Sequence, residues 1–259
     1  MSIHIGTSGF LYEHWRRRFY PPSSRAAELE YFAARFDTVE LNVTFYRMPS
    51  SATFRSWAER VPAGFIFAVK ASRYLTHIRR LQQPRESVGF LLDRARELGD
   101  RLGPILLQLP PDLEVDVAAL AETLAAFPPD IKVALEPRHR SWFCDEVRDL
   151  LAERNAALCL ADRRGPLGPS WRTADWSYLR FHGGRAAPRP CYAEHALEQW
   201  AVRLREVSSA ASTGYVYFNN DHDGCALRDA AVFARALLRE GFQVGRIPVV
   251  SDGVLTDPG

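Results

Sequence analysis

The sequence predicts a single (β/α)8 barrel, the TIM-barrel architecture, as one domain over residues 1–259. Three observations lead there. Short apolar runs alternate with segments whose apolar residues recur at the spacing of one helical face, and eight such units fit the chain. Each run ends on polar residues at matching phase. No linker or composition break divides the chain. Strands separated by amphipathic helices must pair in parallel, because each return needs a crossover. An open doubly wound sheet would carry a Gly-rich phosphate turn after its first strand, and Gly6-Thr7-Ser8-Gly9 is too short and irregular for one.

The units follow in order. Residues 3–8 form the first strand. After a long loop, residues 24–36 form a helix, with Leu29, Phe32, Ala33 and Phe36 on one face. The second strand is 38–43, and its helix is 51–60, with Phe54, Trp57, Ala58 and Val61 on its apolar side. The third strand is 65–71, followed by a helix over 85–98 that uses Val88, Leu91, Leu92 and Ala95. The fourth strand, 105–109, is stopped by Pro110-Pro111. Val117, Leu120, Ala121 and Leu124 mark the next helix, stopped by Pro128-Pro129. The fifth strand is 132–136, with a helix over 145–154. The sixth is 157–161. Residues 163–173, rich in Gly and Pro, give an irregular segment in place of a regular helix. The seventh strand is 178–182, with Leu197, Trp200, Ala201 and Leu204 marking its helix. The eighth is 215–219, and Ala230, Phe233, Ala234 and Leu237 mark the last helix. The pattern gives little beyond Arg246.

Composition narrows the class. With 47% hydrophobic and 25% charged residues, the chain has the make-up of a soluble globular protein. A net charge of +2 gives no general attraction to nucleic acid. The cysteines, Cys144, Cys159, Cys191 and Cys225, form no CxxC pair and have no His-rich neighbourhood, so a zinc site is not expected. Reduced thiols in a cytoplasmic protein are the expectation, with disulfides left open. The amino terminus runs straight into a strand, without the pattern of a signal peptide. No segment nears the roughly 18 uninterrupted apolar residues of a membrane span, so no membrane partner is expected.

Strand parity selects the candidate site. Alternate side chains face opposite sides. If Val39, Leu41, Phe67, Val69, Val133, Leu135, Leu179 and Phe181 face the helices, then Glu40, Asn42, Ala68, Lys70, Ser72, Ala134, Glu136, Arg138, Arg180 and His182 face inward. Gln108, Asp162, Tyr217 and Asn219 join them, with Ser8 from the first strand. These lie at the carboxyl ends of the strands, where barrel catalysis is found.

Several stretches in order resemble a known family. They are Gly6-Thr7-Ser8-Gly9-Phe10, Tyr12, Trp15 and Phe19-Tyr20-Pro21; Val39-Glu40-Leu41-Asn42 with Thr44-Phe45-Tyr46-Arg47; and Phe67-Ala68-Val69-Lys70-Ala71-Ser72-Arg73-Tyr74 with Thr76-His77. Gln108-Leu109-Pro110-Pro111, Glu136-Pro137-Arg138-His139 with Ser141-Trp142, Leu179-Arg180-Phe181-His182-Gly183 and Tyr217-Phe218-Asn219-Asn220-Asp221 complete the set. Together they are similar to DUF72, the YecE-like proteins, over nearly the whole chain. The resemblance implies a TIM barrel and implies no reaction. Phe10 stands where Trp is frequent in that family, and Asp229 where Asn is frequent.

The inward residues suggest chemistry. Glu40 and Glu136 are the acid–base candidates, since such work needs two carboxyls in different environments. The bland alternative is that these charges simply pair. Lys70 is first an ionic partner of Glu136 or of a substrate anion, and second a Schiff-base lysine. His182 is a proton carrier or a structural histidine in equal measure. His77 and His139 are expected exposed. Arg73, Arg138 and Arg180 with Lys70 suit an anion. Ser8, Asn42, Tyr46, Gln108, Asn219, Asn220 and Asp221 complete the substrate-binding set. Tyr12, Tyr46 and Tyr74 could stack on a ring, whereas Trp15 and Trp142 are expected to fill the lid. Glu40, Glu136, His182 and Asp221 are metal-ligand types, but the cations among them weigh against a metal, and no cofactor is expected.

Three functions follow. The first is a metal-independent hydrolase, lyase or isomerase acting on a small anionic or phosphorylated substrate. The second is a nucleic-acid-binding or phosphodiester-cleaving barrel, which rests on fold analogy and on basic groups interleaved with aromatics that fit a nucleotide or a flipped base. The third is a non-catalytic ligand sensor.

Overall fold

The computed structural model describes residues 1–16, 18–21, 27–164, 167–186, 191–208, 212–246, 249–251 and 254–256. It is a mixed α/β fold built on two five-stranded sheets, both wholly parallel. The first holds β2 (Thr38–Leu41), β3 (Ile66–Lys70), β4 (Leu102–Gln108), β5 (Val133–Glu136) and β6 (Ala157–Leu158), in that order. The second is ordered β10-β1-β9-β8-β7, from β1 (Ser2–Thr7), β7 (Leu160–Asp162), β8 (Trp176–Phe181), β9 (Thr213–Phe218) and β10 (Gln243–Val244). A separate antiparallel pair, β11 (Val249–Ser251) and β12 (Val254–Thr256), lies in the tail, as β10 does; the sequence pattern gave none of the three.

The two sheets are linked at two places. Ser8 and Glu40 form a parallel bridge between the end of β1 and β2. Gly6 permits this approach, because a Cβ there would come 2.2 Å from the Thr38 carbonyl oxygen. At the second place, Cys159 alone separates β6 from β7 along the chain.

The helices match the expected apolar faces. α3 (Ser51–Glu59) is capped by Ser50, whose hydroxyl accepts from Thr53 N at 3.2 Å. α4 (Pro84–Ala95) has Pro in its first turn, where the missing N–H costs nothing. α5 (Val117–Ala126) is capped by Asp116, which accepts from Ala119 N at 2.9 Å. α1 (Glu28–Ala33), α6 (Asp145–Glu153), α7 (Glu194–Glu206) and α8 (Cys225–Arg239) complete the long set. The expected helix start near Ser24 falls outside the described residues. No helix is described between β7 and β8.

Parity divides the core in two. Ile3, Ile5, Val39, Leu41, Phe67, Val69, Leu135, Leu179 and Phe218 pack with the helices in one large cluster. Ala68, Leu106, Ala134, Ala157, Cys159, Trp176, Tyr178, Tyr215 and Tyr217, from both sheets, pack with one another on the opposite faces.

Four expectations need correction. Strand 2 does not run to Val43: residues Val43–Tyr46 form a helical turn (α2), because the Thr44 hydroxyl bonds the carbonyls of Leu41 and Lys70, both at 2.7 Å, and draws the chain back. Asp162 does not face inward. It shares the phase of Leu158 and Leu160, which pack on the helix side, and it accepts from Arg185 and from the Tyr192 hydroxyl. Cys191 and Cys225 are not reduced thiols but a disulfide, joining the segment after β8 to the first turn of α8; Cys144 and Cys159 are free. His77 and His139 are half-buried rather than exposed. His77 stands edge-on to Phe45, and His139 accepts from Ser141 N.

Candidate functional site

At the carboxyl ends of the strands, Arg180 is fully buried between two carboxylates. Its Nη2 donates to Glu40 Oε1 and its Nη1 to Glu136 Oε2, both at 2.6 Å. Glu40 lies one residue before the end of β2 and Glu136 ends β5, so one guanidinium ties the two sheets, with β8 supplying the arginine. Such short, charge-assisted bonds offset the large desolvation cost of burying the three ions.

Each carboxylate is further saturated. Glu40 accepts from Ser8 Oγ and from the Tyr178 hydroxyl, both at 2.7 Å. Glu136 accepts from Gln108 Nε2 at 2.9 and 3.0 Å, and His182 Nε2 lies 3.1 Å from its Oε1. Arg138 Nε approaches the same oxygen at 3.7 Å. Burial works to raise the Glu136 carboxyl, but Arg180, His182 and Arg138 prevail and hold it well below the usual carboxylate range. Burial likewise pulls Arg180 down, and the two glutamates more than reverse it.

Around this triad lie groups nearer to solvent. Asn219 Nδ2 is 3.0 Å from His182 Nδ1. With an Asn219 N–H donated to Nδ1, the proton of a neutral His182 belongs on Nε2, where it meets Glu136. Asn42 Nδ2 donates to the Ser8 carbonyl at 3.3 Å. Lys70, the last residue of β3, is 8% exposed and makes no ion pair among the described residues. Its Nζ stands 4.1 Å over the Phe45 ring. Burial first, then the Arg180 charge, pull its pKa down to about 8, against the opposing fields of Glu40 and Glu136.

Ser8, Glu40, Asn42, Lys70, Gln108, Glu136, Arg138, Arg180, His182 and Asn219 are thus gathered in one place. Four other candidates are not. Tyr46, 81% exposed, and Arg73 line an adjacent groove of about 410 Å³ with Phe45, Tyr74, Ile78 and Phe90. Asn220 turns away and donates to Asp229 at 2.8 Å. Asp221 accepts from Trp15 Nε1 at 2.8 Å, with His14 Nε2 at 2.7 Å. The four metal-ligand types therefore do not assemble, since Asp221 is elsewhere and Arg180 lies between the glutamates. Among the described residues no group of three or more His, Cys, Asp or Glu is placed to hold a metal.

Trp15 and Trp142 are fully buried, as expected of lid-filling residues. Two contributors escaped the sequence. Tyr178 has the inward phase, two residues before Arg180, and could have been found from it. Phe45 carried no such signal, because it lies past the strand end in the helical turn Val43–Tyr46, where strand parity does not apply. Tyr12, expected to stack on a ring, donates its hydroxyl to the Ser8 carbonyl instead.

Among the described residues no helix is long and apolar enough to cross a membrane. Residues 4–250 match the family described as "Protein of unknown function DUF72". UPF0759 protein YunF of Bacillus subtilis is 25% identical over 86% of this chain and 90% of its own length. UPF0759 protein YecE of Escherichia coli is 28% identical over 54% of this chain and 50% of its own length. A DUF72 family protein from Thermotoga maritima superposes with a TM-score of 0.79 at 28% identity, covering 92% of this chain and all of that one. One from Enterococcus faecalis gives 0.77 at 22% identity, covering 91% and 95%. The motifs, the fold and this end-to-end match together place the chain in the DUF72 family.

Proposed function

We propose that the two sheets close into one eight-stranded TIM barrel whose mouth binds a small anionic or phosphorylated molecule and carries out proton chemistry on it. Closure is supported by the Ser8–Glu40 bridge, by the single-residue gap at Cys159, and by the interior cluster drawn from both sheets. In a closed barrel, β6 and β7 count as one strand and β10 is an addition beside β1.

The observation that carries the anion reading is the charge arrangement. Arg180 occupies both carboxylates, which among the described residues leaves the Lys70 ammonium without an ion pair and Arg138 with only a long approach to Glu136. Three cations face two carboxylates; of the two outer ones Arg138 is partly exposed and Lys70 is nearly buried. An anion entering between them supplies the missing charge. Asn42 and Asn219 add polar groups at the same level. In this reading Glu136 acts on protons through His182. Glu40 keeps Ser8, Tyr178 and Arg180 in place, and Lys70 meets the ligand directly.

Calorimetric titration with inorganic phosphate tests it. Charge-assisted hydrogen bonds contribute about 1.5–3 kcal/mol each. Arg138→Gln should therefore weaken binding on the order of 10- to 100-fold. Affinity in the unaltered protein should also fall as pH rises through about 8, where Lys70 loses its charge. Phosphate binding that is absent, or indifferent to Arg138, would remove the basis for this function.

A further inference from the structure

The mouth contains one cation whose chemistry differs from that of the others. Of 33 Lys and Arg residues in the chain, only Lys70 and Lys132 are lysines. Nearly every other positive charge, including Arg138 and Arg180 on neighbouring inward positions, is an arginine. For holding an anion a guanidinium serves at least as well, with two parallel donors. It cannot release its proton and attack carbon, and a lysine amine can.

The surroundings of Lys70 agree with that use. Glu40 and Glu136 are taken up by Arg180, so neither fixes the amine in a salt bridge. Lys70 is almost fully buried, and its Nζ stands 4.1 Å over Phe45, a ring face that accepts a neutral amine and also favours an iminium cation. The Thr44 hydroxyl, bonded to the Lys70 carbonyl at 2.7 Å, fixes the backbone from which the side chain projects. A pKa near 8 leaves an appreciable fraction of free amine at neutral pH. Lys132 lacks all of this: it is exposed and precedes β5, at the opposite strand end from Glu136.

We propose that Lys70 is an imine-forming nucleophile and that the anion accepted by the mouth is a carbonyl compound, such as a 2-oxo acid or a phosphorylated aldehyde or ketone. The inference rests on the anion-binding reading given above. The Nζ lone pair adds to the carbonyl carbon while the C=O π pair moves to oxygen. A proton passes from nitrogen to that oxygen. A second proton, from solvent, lets the hydroxyl leave as water as the C=N bond forms. Amine, carbonyl and one proton become iminium and water.

The full chain, at pH 7.5 with sodium cyanoborohydride, is incubated with glyoxylate or glyceraldehyde 3-phosphate. Reduced adducts at Lys70 and Lys132 are compared by peptide mass spectrometry in the same sample. Lys70 should be modified at least about tenfold faster than Lys132, and excess inorganic phosphate should slow it. Lys70→Arg, which keeps the charge, should lose the adduct; Lys70→Met, the second variant if the arginine does not fit, should lose the adduct and also weaken phosphate binding. An adduct at Lys70 no faster than at Lys132 overturns the proposal. If phosphate still binds that sample, only the imine falls; if phosphate does not bind, the anion reading falls with it.

Discussion

Glu136→Gln exposes how the buried triad is held. Every group around the Glu136 carboxylate is a donor: Gln108 Nε2 reaches both oxygens, Arg180 Nη1 meets Oε2, and His182 Nε2 and Arg138 Nε face Oε1. An amide placed either way would point its N–H groups at one of these donors. The substitution also removes one of the two carboxylates bonded to the fully buried Arg180. Breaking one partner of a buried pair costs about 3–5 kcal/mol, a large part of the stability of a domain this size. Urea denaturation at pH 7 measures it. Glu30→Gln is the control: its bond to Arg60 is as short, 2.6 Å, but the pair is partly exposed and water screens it, so the loss should be far smaller. The pH dependence has a definite sign. A carboxyl held below its unfolded pKa contributes stability that is complete above about pH 4.3 and is lost as pH falls through the folded value. The gap between the unaltered protein and Glu136→Gln should therefore be full at pH 7 and shrink in acid. Equal stabilities at pH 7 would refute the buried ion triad.

Three further outcomes follow from other groups. Asp229, buried and raised to about 6 by that burial despite bonds from Tyr192 N and Asn220, costs stability as pH rises from about 4 through 6; Asp229→Asn should be the more stable protein at pH 7.5, by up to about 3 kcal/mol, with the gap closing below pH 5 in urea titrations. Lys70 is charged in both states below about 8 and only in the unfolded state above it, so Lys70→Met should stabilise at pH 7 by up to about 3 kcal/mol, and thermal melts should show the gain vanishing near pH 10.5. The Cys191–Cys225 disulfide spans 34 residues, for which chain-entropy loss in the unfolded state gives about 4 kcal/mol. Thiol titration of the denatured chain should count two thiols before reduction and four after, and reduction should lower the denaturation midpoint.

Much of this molecule was legible in its sequence, and the failures have physical causes. The helices showed because their buried faces repeat: Phe54 and Ala58, or Leu197, Trp200, Ala201 and Leu204, must meet the sheets. Strand parity located Glu40, Lys70, Gln108, Glu136 and Arg180 because a strand leaves no choice of side once its neighbours are packed. It failed for Asp162, where the phase of the sixth run was carried one residue too far past Cys159. Parity also loses force beyond a strand end. Asn219 stays with the cluster, whereas Asn220 and Asp221, one and two residues later, turn to Asp229 and Trp15. Tyr46 and Arg73 sit in turns whose direction is set by the Thr44 and Thr76 hydroxyls bonding back to strand and loop carbonyls. The disulfide was illegible because its two halves meet only through tertiary packing of the segment after β8 against α8.

The central claim is that an anion fits between Lys70 and Arg138 above the Glu40–Arg180–Glu136 triad. A crystal grown without phosphate or sulfate and then soaked in inorganic phosphate tests it most directly. The account predicts phosphate within hydrogen-bonding distance of Lys70 Nζ and the Arg138 guanidinium, with Arg180 still bridging the two glutamates. Phosphate bound only elsewhere, or a mouth that stays empty at saturating phosphate, would contradict it.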